Sequence, residues 1–140
     1  MREETNQATE PAPIKKPRKK RTRRSVVYAH VHVLASMNNT IISVTDPQGA
    51  LLASASAGSS GFRGSKKGTA YAAQVAAEKA VSAARQLYGM EKADVFIRGV
   101  GMGRDAATRT LINQKVKVEN LNDITGVPHG GVRPRKARRT

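Results

Sequence analysis

The chain of 140 residues contains no cysteine and no tryptophan, and aromatic residues make up only 4% of it. The absence of cysteine excludes disulfide bonds and thiolate metal ligands, and it is compatible with a reducing compartment. No apolar run is long enough to cross a bilayer, and the first residues lack the apolar stretch of a secretory signal peptide. These absences predict a soluble, intracellular protein.

Acidic residues are missing from two blocks near the chain ends. Residues 15–24 hold eight Lys or Arg and residues 133–139 hold five, whereas residues 26–126 carry eleven basic and seven acidic side chains. Most of the net charge of +15 therefore lies outside the middle of the chain. Because such runs repel themselves and bury no apolar surface, we expect both tails to be disordered until a polyanion neutralises them.

Nucleic acid is the partner that this charge distribution favours. Neither tail has the apolar face that an interfacial helix needs, so a membrane surface is not expected to be a partner. The cations of the first block that we expect to contact nucleic acid are Lys15, Lys16, Arg18, Lys19, Lys20, Arg21, Arg23 and Arg24.

The hydrophobic pattern divides the chain into three parts: a leader and basic tail at 1–25, one α/β domain at 26–126 and a basic tail at 127–140. Alternation predicts strands at 26–35, 40–45, 50–56, 93–98 and 115–119. Helical spacing predicts a helix that is capped by Thr69 and ended by Gly89, and a second that is capped by Asp105 and runs to about Asn113. The order β-β-β-α-β-α-β predicts a mixed β-sheet packed by two helices, with the fourth strand parallel to a neighbour.

Two short connections have turn compositions. The link Met37-Asn38-Asn39 is short enough for a hairpin, and asparagine tolerates the positive φ that such turns require. The segment 46–49, Asp-Pro-Gln-Gly, has the composition of a type I turn. The amides of the asparagines and the hydroxyl of Thr40 could also donate to RNA.

Two glycine-rich loops precede the predicted helices. The segment 99–105, GVGMGRD, fails the dinucleotide fingerprint because Arg104 replaces the third glycine, and residues 58–68 contain no Walker A motif. Each loop should still place free backbone amides and cations at a helix N-terminus, where phosphate is favoured. Arg63, Lys66 and Lys67 are the cations of the first loop, and the alternative is an ordinary turn with solvated side chains.

Catalytic and metal-binding patterns are weak. His30 and His32 share one face of a strand, a spacing that can bind metal, but a packed or RNA-facing pair is the better interpretation. Asp46 is typical of a turn and Asp94 is expected to flank the core or face water, so no carboxylate pair is evident. We therefore predict no enzymatic activity, no cofactor and no metal.

Four stretches carry a family resemblance: HVLASMNNTIISVTD (32–46), SAGSSGFRGSKKGTAYAAQVAAEKA (56–80), VFIRGVGMGRDAATR (95–109) and PHGGVRPRKARR (128–139). They resemble small-subunit ribosomal protein number eleven, the universal S-eleven family of bacterial type. The resemblance implies a ribonuclease-H-like α/β fold without enzymatic activity.

The same resemblance implies a structural constituent that binds 16S-type rRNA at the platform of the small subunit, supports assembly and lies near the mRNA exit and the Shine–Dalgarno region. Its implied protein neighbours are platform proteins eighteen, seven and, in many bacteria, twenty-one. With the loop cations included, the residues of the domain and second tail that we expect to face RNA are Asn38, Asn39, Thr40, Arg63, Gly64, Ser65, Lys66, Lys67, Gly68, Gly101, Gly103, Arg104, His129, Arg133, Arg135, Lys136, Arg138 and Arg139.

Two alternatives from other functional classes stay open at this point. A general nucleic-acid chaperone would suit the same charges, but it predicts no preference for a particular RNA. A nuclease on a related fold would require magnesium and either Asp46 or Asp123. An organellar ribosome remains an alternative to a bacterial cytoplasmic one.

Overall fold

The computed structural model describes residues 24–139, and the predicted acidic leader, the tail cations up to Arg23 and Thr140 lie outside this range. The described elements are β1 (Tyr28–Ala35), β2 (Thr40–Thr45), β3 (Leu51–Ser56), a 3-10 helix (Gly64–Gly68), α1 (Ala70–Tyr88), β4 (Lys92–Arg98), α2 (Gly103–Asn113) and β5 (Lys117–Asp123). This order confirms the predicted succession of strands and helices, with the 3-10 helix as an addition.

The five strands form one mixed sheet in the order β3-β2-β1-β4-β5. The first three make an antiparallel meander, while β4 lies parallel to β1 and β5 lies parallel to β4. The parallel β1–β4 pair confirms the predicted crossover through the long helix, and the sheet agrees with the ribonuclease-H-like topology that the resemblance implied.

Both helices pack on one face of the sheet. Alternate residues of β1, such as Val31 and Val33, are at most 2% exposed and belong to one core cluster with the alanine-rich side of α1, including Ala76 and Ala80. Leu111 of α2 completes the same cluster. Because alanine side chains are small, α1 lies close to the strands and the core is thin, as its sequence pattern predicted.

Helix α1 has the termini that its sequence predicted. The Thr69 hydroxyl accepts a hydrogen bond from the amide of Ala72 at 3.3 Å, and Gly89 adopts a left-handed conformation with φ of 72°. The side-chain cap satisfies one of the amides that the first turn leaves without an intrahelical partner.

Two predicted boundaries in the second half of the chain are wrong. Asp105 does not cap α2, because the helix already begins at Gly103 and Asp105 lies within its first turn. The last strand begins at Lys117 and not at Lys115, since Lys115 has a φ of 57° and the amide of Val116 bonds back to Leu111. The strand then continues to Asp123, beyond the predicted end.

No helix among residues 24–139 is both long enough and apolar enough to span a membrane.

Candidate nucleic-acid interface

Four connections meet at one end of the sheet, which we call the loop end. They are the hairpin turn 36–39, the loop 57–69 after β3, the glycine-rich loop 99–102 after β4, and the C-terminal segment that follows β5. These connections meet because β1, β3, β4 and β5 run in the same direction, so their carboxyl ends lie at one edge. The fold thus brings together the hairpin, both loops and the root of the second tail, which the sequence placed far apart.

The glycine-rich loop after β4 lies directly on the hairpin. A Cβ on Gly101 would come within 2.1 Å of the carbonyl oxygen of Ser36, and one on Gly103 within 2.2 Å of Oγ1 of Thr40. The amide of Gly101 donates to the carbonyl of Ala35 at 2.9 Å. These contacts leave no room for a side chain, which explains why glycine occupies both positions.

Three residues that we predicted to face RNA are therefore inside the protein. Thr40 is 0% exposed, and Gly101 and Gly103 are also buried. Burial follows from the packing of the loop on the hairpin, which the sequence did not reveal. In this position they shape the loop end and do not form its surface.

The two asparagines of the hairpin differ in their environment. Asn38 is exposed, whereas Asn39 is half-buried and its Oδ1 accepts a hydrogen bond from the amide of Thr40 at 3.0 Å. The expected positive φ is wrong, because Lys115 is the only non-glycine residue with a positive φ in the described range. Instead, the hydroxyl of Ser36 accepts a hydrogen bond from the amide of Asn39 and donates one to the carbonyl of Asn39, and these two bonds close the turn.

The loop after β3 presents cations at the N-terminus of α1, as predicted. It contains the 3-10 helix Gly64–Gly68, in which Lys66 is exposed and Lys67 is half-buried. Arg63 is exposed, but its guanidinium also donates to the carbonyl of Gly58 at 2.5 Å and so closes the loop on itself. The loop is thus more ordered than its composition suggested.

Cations exceed their acidic partners at the loop end. Among residues 24–139 the only ion pairs are Lys92–Glu119, at the opposite end of the sheet, and Arg104–Asp123. The two lysines of the first loop and the exposed Arg98 therefore have no carboxylate partner. Unpaired surface cations of this kind are suited to phosphate, which they can neutralise with release of counterions.

Arg104 is engaged within the protein. Its guanidinium donates to the carbonyl of Gly99 at 2.6 Å and to Oδ2 of Asp123 at 2.5 Å. Oδ1 of Asp123 accepts from both the amide and the hydroxyl of Thr125. Hydrogen bonds from Thr125, and then from Arg104, lower the pKa of Asp123 to about 2. The network fixes the root of the C-terminal segment against the glycine-rich loop.

The backbone amides of the glycine-rich loop after β4 are also less available to a ligand than predicted. The amide of Gly99 donates to Thr125 Oγ1 at 3.1 Å, and the amide of Gly101 bonds to β1. The expectation that free amides line both loops is therefore wrong for these two positions, because the tail root and the hairpin already use them.

The second basic tail leaves from the loop end. Residues 126–139 contain no helix or strand, and all are exposed. Its predicted RNA-facing residues, His129, Arg133, Arg135, Lys136, Arg138 and Arg139, are therefore all accessible. Arg24, the one described cation of the first block, is exposed as well.

The sheet face opposite the helices carries an aromatic cluster. His30 and His32 lie on this face, as predicted, and both rings contact Phe96, with His32 stacked at a centroid distance of 5.2 Å. Burial, and then the neighbouring His30, lowers the pKa of His32. Among residues 24–139 no group of three or more metal-ligating side chains could hold an ion.

Asp94 does not face water, contrary to expectation. It is 9% exposed and accepts hydrogen bonds from the hydroxyl of Tyr28 at 2.5 Å and from the amide of Asn120 at 3.0 Å. The bond from Tyr28 is the main cause of the lowered pKa of Asp94, and it raises the pKa of Tyr28 to about 12. The two acids considered for a nuclease, Asp46 and Asp123, lie at opposite ends of the sheet.

Sequence reasoning missed three exposed apolar side chains at the loop end. Met37 is 69% exposed, Val100 65% and Met102 73%. The signal that could have revealed them is the pattern Gly-Val-Gly-Met-Gly, in which inward glycines leave the alternate residues outside. Methionine in a short hairpin turn is a second such signal.

Comparison with known proteins agrees with the resemblance. The family model described as "Ribosomal protein S11" matches residues 29–139. The "Small ribosomal subunit protein uS11" of Teredinibacter turnerae is 50% identical over 127 residues, which cover 91% of this chain and 97% of the relative. The proteins of the same name from Cellvibrio japonicus and Saccharophagus degradans are 50% and 51% identical over 121 residues, covering 86% of this chain and 92% of each relative.

Proposed function

The chain belongs to the ribosomal protein S11 family and is a structural protein of the small ribosomal subunit, not an enzyme, and on that premise we propose that it binds 16S-type rRNA through its loop end. The observation that carries the proposal is the meeting of the hairpin, both glycine-rich loops and the root of the second basic tail at one edge of the sheet. A convex RNA surface could engage all of them at once.

Different parts of this surface have different roles in the proposal. The tail cations neutralise phosphates, which supplies affinity without regard to sequence, whereas Lys66 and Lys67 are fixed on the folded loop end and contribute to the choice among RNAs. Asn38 is placed to donate to bases or sugars. The buried residues Thr40, Gly101 and Gly103 fix the relative positions of the hairpin and the loop.

The location within the subunit is part of the same proposal. The resemblance supports a place on the platform near the mRNA exit and the Shine–Dalgarno region, with contacts to platform proteins eighteen, seven and twenty-one. The division into a folded domain at 26–126 and basic arms at 1–25 and 127–140 supports a role in assembly, with the arms becoming ordered between rRNA helices. We expect the protein in the cytoplasm with the ribosomes.

Salt dependence of binding tests the electrostatic part. If eight tail cations each displace a counterion, log K should fall with log salt at a slope of about −6 to −7 for the full chain and a fragment of 16S-type rRNA from the platform. Deleting residues 15–24 should make the slope shallower and weaken binding to all RNAs alike. A slope near −1 for the full chain would contradict the proposal.

Selectivity tests the role of the loop end. We expect Lys66→Gln with Lys67→Gln to weaken binding to the rRNA fragment more than binding to a random duplex. The matched control is Lys79→Gln with Lys117→Gln, which removes the same charge from exposed lysines away from the loop end. Equal affinity of the wild-type protein for both RNAs would favour the alternative of a general nucleic-acid chaperone.

A further inference from the structure

Three exposed apolar side chains lie on two segments of the loop end whose backbones pack against each other. Gly101 packs on the carbonyl of Ser36, so its neighbours Val100 and Met102 flank the hairpin that carries Met37. Because the glycines of this loop point toward the hairpin, the residues between them point away from it. All three apolar side chains are at least 65% exposed. We call Met37, Val100 and Met102 the apolar tip.

The surroundings of the apolar tip indicate what covers it. Gly68, which follows Lys67, packs on the backbone of Met37, since a Cβ there would lie 2.4 Å from the Met37 carbonyl oxygen. Arg98 ends the strand that leads into Val100. A ligand at this position must therefore offer apolar surface in its middle and negative charge around it.

An unpaired nucleotide has this combination of properties. Its base has a flat, polarisable face and its flanking phosphates are anionic, whereas a base inside a duplex has both faces covered by its neighbours. Methionine side chains are flexible and make favourable contacts with aromatic rings through sulfur. We propose that the apolar tip of the loop end is a platform for one unpaired nucleobase of a folded RNA, an inference that rests on the proposed rRNA binding and adds the class of nucleotide recognised.

The test compares two forms of one RNA. Met37→Ala, Val100→Ala and Met102→Ala are measured against an RNA hairpin with an open loop and against the same hairpin with its loop paired to a complementary strand. A contact between a methionine sulfur and an aromatic ring is worth roughly 2- to 12-fold in affinity. We expect each variant to bind the open loop more weakly, by part of this factor, and to bind the paired loop with unchanged affinity. The slope of log K against log salt should stay the same.

Two further variants complete the design. Ile112→Ala removes an equally exposed apolar side chain, 62% exposed, from the far end of α2 and should leave both affinities unchanged. Met102→Leu keeps the apolar surface and should retain most of the wild-type affinity. Thermal unfolding of each variant shows whether the fold is intact.

The outcomes separate this inference from the proposed function. If the wild type binds the open loop with a steep salt slope but the tip variants behave like Ile112→Ala, the platform is refuted and rRNA binding stands. Equal losses on open and paired RNA would also refute the platform. Unchanged RNA affinity with reduced incorporation into small subunits would refute it in favour of a protein contact. A wild type with no salt-dependent RNA binding would overturn the proposed function itself.

Discussion

Four glycine-to-alanine substitutions, three at the loop end and one in the turn between β2 and β3, should separate backbone strain from steric overlap. Gly126 has an ordinary φ and open space around it, and Gly49 has open space but a φ of +88°. Gly101 has an ordinary φ, but a Cβ there would lie 2.1 Å from a backbone carbonyl oxygen. Gly99 combines both features, with a φ of +105° and an oxygen at 2.1 Å.

The expected losses in free energy of unfolding follow from these features. A left-handed conformation costs an L residue about 1–2 kcal/mol, and forcing an extra atom into a packed contact costs about 1–3 kcal/mol. We therefore expect a change within about 0.5 kcal/mol for Gly126→Ala and a loss of about 1–2 kcal/mol for Gly49→Ala. Gly101→Ala should lose about 1–3 kcal/mol and Gly99→Ala about 2–5 kcal/mol, if the two costs add.

Urea unfolding followed by circular dichroism measures these losses, because the chain has no tryptophan to serve as a fluorescent probe. Domains of this size have a total stability of about 5–15 kcal/mol, so the loss expected for Gly99→Ala is a large fraction of the total. The reasoning is refuted if Gly101→Ala is as stable as Gly126→Ala. That result would mean that the loop can move off the hairpin at no cost and that the contact does not define the loop end.

Three further predictions concern single side chains. The pKa of Asp123 is about 2 in the folded protein, below its unfolded value near 4. The ionised carboxylate therefore stabilises the fold above about pH 4, and this contribution is lost as the pH falls toward 2. Asp123→Asn should reduce the dependence of the urea midpoint on pH in that window. Charge reversal by Arg104→Glu should reduce this contribution, because only the bonds from Thr125 remain, whereas Arg104→Lys should keep more of it. The pKa of Tyr28 is about 12 in the folded protein, against an unfolded value near 10. The protonated hydroxyl therefore stabilises the fold below about pH 10, and this contribution is lost between about pH 10 and 12. Tyr28→Phe should remove that alkaline decline in the urea midpoint, and an unchanged dependence on pH would contradict the assigned hydrogen bond. Thr69→Ala should lower the free energy of unfolding by about 1 kcal/mol and Thr69→Ser by much less, because only alanine removes the cap of α1.

Local patterns were sufficient to predict the elements themselves. One buried face is specified by the strict alternation of β1 and another by the spacing of alanines in α1. The ends of α1 are marked by Thr69, whose side chain caps the first turn, and by Gly89, whose backbone adopts a left-handed conformation, and both effects act over a few residues. The predictions failed where the chain between elements was shaped by distant contacts. Asp105 was a reasonable cap by composition, but α2 already begins at Gly103, which packs against Thr40 of β2.

The candidate site divides in the same way. Charge is a property of composition, so the positive ends of the chain and the lysines of the first loop could be identified without a fold. Exposure is not. Arg104 was predicted as a free cation, yet it is bonded to Asp123, a residue that lies 19 positions away and reaches it only because β5 pairs beside β4.

The sequence by itself determined the class of fold, the surplus of cations and the family, because periodicity, net charge and ordered motifs are all readable along one dimension. Tertiary structure alone decided which of the candidate residues form a surface. Thr40, Gly101 and Gly103 are buried, whereas Met37 and Met102 are exposed. The physical reason is that four strands run in one direction, so the segments that follow them meet at one edge of the sheet. There the backbones pack so closely that larger side chains fit only on the outside.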